Sequence, residues 1–222
     1  MSRIAVVGGH GSVARHLHPL LVAAGHTPLA LVRNRDHLAE LEALGAEVGL
    51  LDIESSDVDA FAAAFAGCDA VVFAAGAGAD GKVERKRTVD LEGSTKSVAA
   101  AEQAGIRRFV QVSAMGVDQP LGEDVSDVWR AYVEAKRDAD AVLRASSLDW
   151  TVVRPGQLTD DEPTGRVDLR EHVERGAVPR ADVAAVVAAC LADDRSVGAQ
   201  FELVSGPEPI EAAVATAPRF AG

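Results

Sequence analysis

Aromatic side chains are scarce in this chain, with one tyrosine, two tryptophans and six phenylalanines among 222 residues. A core short of rings must be filled by Ala, Val and Leu, as in helix-covered parallel sheets, and an aromatic-rich sandwich is excluded. Cysteine is scarcer still. Cys68 and Cys190 lie far apart in apolar surroundings, which excludes a disulfide framework and reads as two reduced core thiols. No Cys/His cluster exists and no histidine pair has convincing ligand spacing, so no metal site is expected. Positive charge is also in deficit: 22 Lys and Arg against 34 Asp and Glu give a net charge of -12. That balance argues against nucleic acid or an anionic membrane as a partner. No apolar run reaches the ~18 residues of a membrane span. A first strand starting at residue 3 leaves no room for a signal peptide, so the cytoplasm is the expected location. The length suits one domain over residues 1–222, since single cores stop growing near ~250 residues.

What is present is glycine in a telling place. Ile4 to Val7 is a short apolar run that reads as a buried strand; it stops at Gly8-Gly9-His10-Gly11, and Val13, Ala14, Leu17, Leu20 and Leu21 then follow at helical spacing. Strand, glycine turn and helix in that order match the dinucleotide fingerprint in two registers, Gly9-Gly11-Ala14 or Gly8-Gly11-Ala14. In either, one glycine makes the turn, Gly11 lets a pyrophosphate approach the backbone, and the small residue at 14 lets the helix pack on the sheet. The first amides of the helix, at Ser12 and Val13, face the phosphates. A glycine pattern alone equally describes a turn that needs positive φ; its context is what makes it informative.

The same alternation continues along the chain. Strands are expected at Pro28–Val32, Ala46–Leu51, Ala70–Ala74, Arg108–Val112 and Asp149–Val153, with a helix after each of the first four and Asp36 and Asp57 as caps. Six strands alternating with helices imply right-handed crossovers and an α/β fold: a Rossmann-type doubly wound parallel sheet with helices on both faces. The second strand ends at Arg33, where an acid would bind the ribose of NAD; a guanidinium there suits the 2′-phosphate of NADP, or is simply solvated. Asp52 can reach an adenine amino group or cap the next turn. Ala75, Gly76, Ala77 and Gly78 are small enough for a dinucleotide to lie across the strand ends. Lys82–Arg87 reads as a charged surface stretch before one long helix through Val89 to Ala104. Gln157–Val178 reads as one or two short strands over the cofactor, on the substrate side. Pro179 to Leu191 gives a further helix, Gln200–Val204 a last strand, and the Pro-rich end from Pro207 closes the chain, its final residues expected to be loose. His10 can touch a phosphate; His16, His18, His26, His37 and His172 read as surface residues.

Four signatures together carry a resemblance: the glycine turn, Val110-Gln111-Val112-Ser113, Tyr132-Val133-Glu134-Ala135-Lys136 and Val153-Arg154-Pro155-Gly156. The chain resembles the atypical short-chain dehydrogenase/reductases, and more narrowly the NAD(P)H-binding proteins related to biliverdin reductase B and the NmrA-like group. The likeness runs from residue 3 to about residue 204 and includes Arg180-Ala181-Asp182-Val183-Ala184. It implies that Gly8, Gly11 and Ala14 meet the pyrophosphate, within a turn that also holds Gly9, His10, Ser12 and Val13. It further implies Arg33 on the 2′-phosphate, Asp52 and Ile53 on the adenine, Ala74, Ala75 and Gly76 along the cofactor, and Pro155 and Gly156 beside the nicotinamide. Ser113, Tyr132 and Lys136 would be the reductase triad. The chain departs from the pattern at Ala14, which replaces a third glycine, and at Asp90, where many relatives have asparagine.

The chemistry is readable from the residues as well. Hydride transfer to a carbonyl needs an acid for the developing alkoxide, and a tyrosine of pKa ~10 needs a neighbouring ammonium to serve. Tyr132 and Lys136 share a helix face four residues apart, although such a pair can equally be packing with a snorkelling amine. Ser113 at a strand end can orient the carbonyl. The expected function is an NADP(H)-dependent reductase of a small carbonyl or conjugated molecule, with NAD(H) the poorer coenzyme. A non-catalytic NADP(H) sensor of the NmrA-like type is the alternative. Nucleotide-sugar epimerisation ranks third, because the segment after Gly156 is short. A homodimer is compatible with the sequence.

Overall fold

The computed structural model describes residues 1–78 and 82–221. Its first half runs β1 (Arg3–Val7), α1 (Ser12–Ala23), β2 (Thr27–Val32), a 3-10 turn at Arg35–His37, α2 (Leu38–Ala43), β3 (Glu47–Leu50), α3 (Val58–Ala64) and β4 (Ala70–Phe73). The second runs α4 (Val83–Arg85), a π-helical stretch Lys86–Leu91, α5 (Glu92–Gln103), β5 (Arg108–Val112), α6 (Asp127–Ala145) and β6 (Asp149–Pro155). Then come β7 (Gln157–Thr159), β8 (Arg166–Arg170), β9 (Ala177–Pro179), α7 (Arg180–Ala192), β10 (Ala199–Ser205), β11 (Glu208–Pro209) and α8 (Ile210–Ala215).

The main sheet has the order β3-β2-β1-β4-β5-β6-β10-β8-β11. All neighbours from β3 to β10 are parallel, and β8 and β11 are added antiparallel at the far edge. This is the expected doubly wound Rossmann-type sheet. Its central strands are mostly apolar because both faces are covered: β1, β4 and β5 are buried except at Arg3 and Arg108, with Gln111 the polar residue inside β5. One face packs Leu17, Leu21, Val186, Val187 and Phe201 under α1, α7 and α8, and the other packs Phe61, Phe65, Phe73, Phe109 and Leu143 under α3, α5 and α6. Four of the six phenylalanines therefore serve one layer, and the opposite layer packs mainly aliphatic side chains. Strand order reverses between β1 and β4, so the strand ends diverge there and open a crevice above Val7 and Phe73.

Several local expectations are corrected. Asn34, not Asp36, caps the turn after β2, its side chain accepting from the Asp36 amide at 3.0 Å. Asp57 does cap α3, accepting from the Ala60 amide at 2.9 Å. The long helix before β5 is interrupted by the π-helical stretch, whose wider turn carries Lys86 and Asp90 into the interior; Lys86 is thus not a surface residue. Only β7 and β9 form a small parallel pair beside the crevice. β8 instead completes the main sheet next to β10. Beyond Pro207 the chain forms β11 and α8, and Phe220 packs edge-on against Trp150 at 6.4 Å, so this segment is built rather than loose; Gly222 lies outside the described residues. His18 is fully buried, not superficial.

Candidate functional site

The crevice at the strand reversal is a cleft of about 1630 Å³. Its floor is the glycine turn. Gly8 has φ +79° and a Cβ there would stand 2.7 Å from the Ala75 backbone, so only glycine lets β1 and β4 end this close together. The Gly11 amide donates to the Gly8 carbonyl at 2.8 Å, closing the turn. Gly11 is extended and no side chain caps α1, which leaves the first helical amides, at Ser12 and Val13 on the cleft wall, available to an anion. Gly9 is placed differently. A Cβ there would meet Ala30 at 2.7 Å, and its carbonyl accepts a 2.7 Å hydrogen bond from His18 Nε2. Gly9 therefore seats the turn on β2, and the cleft register is Gly8 and Gly11. Ala14 is buried in the core, packing α1 on the sheet.

The other expected residues gather on the same walls. Arg33, Asp52 and Ile53 lie at the ends of β2 and beyond β3; Ala74, Ala75 and Gly76 follow β4; Pro155 and Gly156 end β6. Arg33 is 61% exposed and only 3.4 Å from Glu54, which also pairs with Arg85. Asp52 accepts from the Glu54 amide at 3.0 Å while lining the cleft, so it caps and faces the site at once. His10 bonds Glu40 at 2.8 Å and stacks on His37 with ring centroids 3.5 Å apart. Nitrogen and carboxylate atoms of His10, His37 and Glu40 lie within 4.8 Å of one another. Arg15 shares Glu40 at 3.0 Å, so the Glu40 carboxylate is already engaged by both His10 and Arg15.

Ser113, Tyr132 and Lys136 are brought together at the top of β5 and on the cleft face of α6. Lys136 is buried; its ammonium lies 3.3 Å from Asp90 and donates to the carbonyls of Ala75 and Val112. Burial alone would pull its pKa down, but Asp90, with Tyr132 and Asp140, outweighs that and raises it. Burial pushes the Tyr132 phenol above its ordinary value of 10.0, and the attraction of Lys136 offsets only part of the rise. Tyr132 is thus a neutral phenol at ordinary pH. The second oxygen of Asp90 accepts from the Ala77 amide at 3.1 Å.

Behind this group stands a buried polar network that sequence reasoning missed. Ser113 donates to Asp140 at 2.8 Å, Gln111 donates to Asp140 at 2.7 Å, and Arg154 bridges Asp140 to Asp118. Burial holds the Asp140 carboxyl above the usual aspartate range although Arg154 and the two hydrogen bonds pull it down. Glu202 was missed as well. It is buried in β10 and accepts from the amides of Gly116 and Val173, tying the loop after β5 to the segment before β9. Two signals were available: Asp140 follows Tyr132 and Lys136 at four-residue spacing, and Arg154 and Glu202 are charges inside apolar strands.

Comparison with known proteins fits this geometry. A family model described as NAD(P)H-binding matches residues 8–194. The chain belongs to the NAD(P)H-binding family. That family falls within the atypical short-chain dehydrogenase/reductase superfamily and has reductase-like and epimerase-like members. A protein of Bacillus subtilis (strain 168) called an uncharacterized sugar epimerase, YhfK, is 37% identical over 96% of this chain and 98% of its own length. A solved structure from Bacillus halodurans, named for the NAD-dependent epimerase/dehydratases, has a TM-score of 0.89 at 39% identity and covers 96% of this chain and 99% of its own. The (4-alkanoyl-5-oxo-2,5-dihydrofuran-3-yl)methyl phosphate reductase of Streptomyces griseus subsp. griseus is 29% identical over 96% of this chain and 71% of its own. An NAD(P)H coenzyme fits the residues present: a glycine cradle that a Cβ would fill, open helix amides and small strand-end residues.

Proposed function

We propose that this member of the family is an NADPH-dependent reductase of a small carbonyl or conjugated substrate, with Tyr132 as proton donor. The observation that carries this reading is the setting of the chain's only tyrosine: a protonated phenol on the cleft wall, one helical turn from a buried ammonium. The reduced nicotinamide supplies the hydride when bound. The chain does the rest. Gly8, Gly11 and the first amides of α1 hold the pyrophosphate, and Arg33, loosely held by Glu54, swings to the 2′-phosphate. Tyr132 gives its phenolic proton to the substrate oxygen, and Lys136 stabilises the phenolate left behind. The activity for which the Streptomyces relative is named, reduction of a phosphate-bearing conjugated lactone, supports the reaction class. The chain beyond Gly156 adds little more than the β7–β9 pair beside the cleft, which supports a small substrate over a nucleotide sugar.

Screening aldehydes, quinones and flavins for NADPH oxidation tests the proposal. Tyr132→Phe should cut kcat at least a hundredfold with NADPH affinity unchanged, and the wild-type rate should stay level from neutral pH until the phenol ionises, above pH 10.0. Undiminished turnover by Tyr132→Phe would remove the proposed acid. One observation favours a second reading: the Ser113 hydroxyl is committed to Asp140, so in this state Ser113 does not donate to a carbonyl. A cofactor sensor would bind NADPH tightly, show no NADPH oxidation with any substrate, and change its affinity for a partner protein when loaded.

A further inference from the structure

We infer that the substrate carries an anionic group, a carboxylate or phosphate ester, which Arg175 and Arg180 hold at the open side of the cleft. This rests on the reductase reading for the word substrate, but the anion site stands on its own geometry. The chain has a net charge of -12, yet among the described residues its cleft is lined by six cations, Arg33, Arg85, Lys86, Lys136, Arg175 and Arg180, against four acids. The acids are accounted for by their contacts. Asp52 caps its own turn, Glu54 takes Arg33, Arg85 and Thr88, Asp90 faces Lys136, and Glu202 is satisfied by two backbone amides. None of them faces Arg175 or Arg180 with a hydrogen bond or ion pair. Arg175 makes no hydrogen bond or ion pair among the described residues. Arg180 has one, at 2.8 Å to Asp160, whose side chain is 83% exposed and is readily exchanged for a ligand anion.

The two arginines are placed by the backbone near the reacting end of the cleft. Arg180 follows β9 directly, and Arg175 is separated from the start of β9 by Gly176 alone. Gly176 accepts from the Gln157 amide at 2.9 Å, and a Cβ on Gly156 would stand 2.3 Å from that same carbonyl. β9 is thus pressed against the end of β6, on the side where Pro155 and Gly156 border the site. Trp129, 49% exposed and 5.4 Å from the Tyr132 ring, gives the cleft an apolar plate. A molecule with an anionic end and a flat apolar body has a partner for each part.

The test is calorimetry on the protein saturated with NADP, so that the phosphate turn is filled, using benzoate, phenyl phosphate and benzyl alcohol as probes. The two anions should bind at least tenfold more tightly than the alcohol, and the preference should fall below threefold in Arg175→Gln/Arg180→Gln, with NADPH affinity within twofold of wild type. The stronger of the two anions identifies the group. Equal binding of anion and alcohol, or a preference that survives in the double variant, overturns the proposal. Repeating the titrations without coenzyme separates the two ideas: protein that binds no NADPH but keeps an arginine-dependent anion preference refutes the reductase reading and leaves this site standing. With 4-carboxybenzaldehyde and 4-methylbenzaldehyde as substrates, the same variant should lose kcat/KM at least tenfold for the acid only.

Discussion

Lys136→Met separates what the Lys136 ammonium does for the fold from what it does for the site. Met fills the same volume but leaves Asp90, which is fully buried, with the Ala77 amide as its one hydrogen-bond partner. Removing one member of a buried ion pair costs about 3–5 kcal/mol. The loss should therefore fall in that range at about pH 7. The carbonyls of Ala75 and Val112, which also lose a donor, sit at strand ends beside the cleft, where water can replace it. Urea unfolding measures this, and at roughly 2–4 °C per kcal/mol the loss is visible in Tm. Lys136→Met/Asp90→Leu should recover most of the stability without restoring turnover. A single variant within about 1 kcal/mol of wild type, or a double variant no more stable than the single one, would refute the buried-pair account.

Three other outcomes rest on the same geometry. Arg33→Ala should weaken NADPH binding about 10- to 100-fold, the worth of a charge-assisted contact of about 1.5–3 kcal/mol, with NADH unchanged; equal titrations of wild type with the two coenzymes would remove Arg33 from the 2′-phosphate. Burial lowers the pKa of His18 below 6.5, with the Gly9 carbonyl opposing. The unfolded chain therefore binds that proton first, and stability present above pH 6.5 is lost as pH falls through the lower folded value; His18→Gln should flatten that acid-side slope in urea midpoints. Gly8→Ala must adopt a left-handed backbone at about 1–2 kcal/mol and meets the Ala75 backbone at 2.7 Å, so both Tm and NADPH affinity should drop in calorimetry.

Much of the fold is legible because its physics is local. The apolar runs of β1, β4 and β5 and the helical stripes between them name a two-sided parallel sheet before any contact is known. Long-range placements are not legible in that way. β8 reads as a cofactor-side strand from its position in the chain, yet it pairs with β10 because the sheet edge needed covering. His18 reads as surface from its polar neighbours His16 and Arg15, but helical geometry turns it toward the Gly9 carbonyl. Lys86 reads as solvated from its charged neighbours, and the π-helical stretch, which has no sequence period of its own, turns it inward.

The candidate site divides along the same line. Gly8, Gly11, Arg33, Tyr132 and Lys136 are legible because each satisfies a rule of spacing or of backbone freedom. Asp140, Arg154 and Glu202 are not, since their meaning lies in partners 14 to 86 residues away. Those three decide what the legible residues can do. Asp140 takes the Ser113 hydroxyl, Arg154 keeps that carboxyl from standing alone, and Glu202 ties together the two loops beside Arg175. Asp140→Asn is therefore the substitution that distinguishes a committed serine from an available one: it turns an acceptor partly into a donor, freeing the Ser113 proton for a substrate oxygen. If the sensor reading holds, the variant changes nothing in NADPH turnover; if the reductase reading holds, it changes kcat for carbonyl substrates while leaving coenzyme affinity where it was.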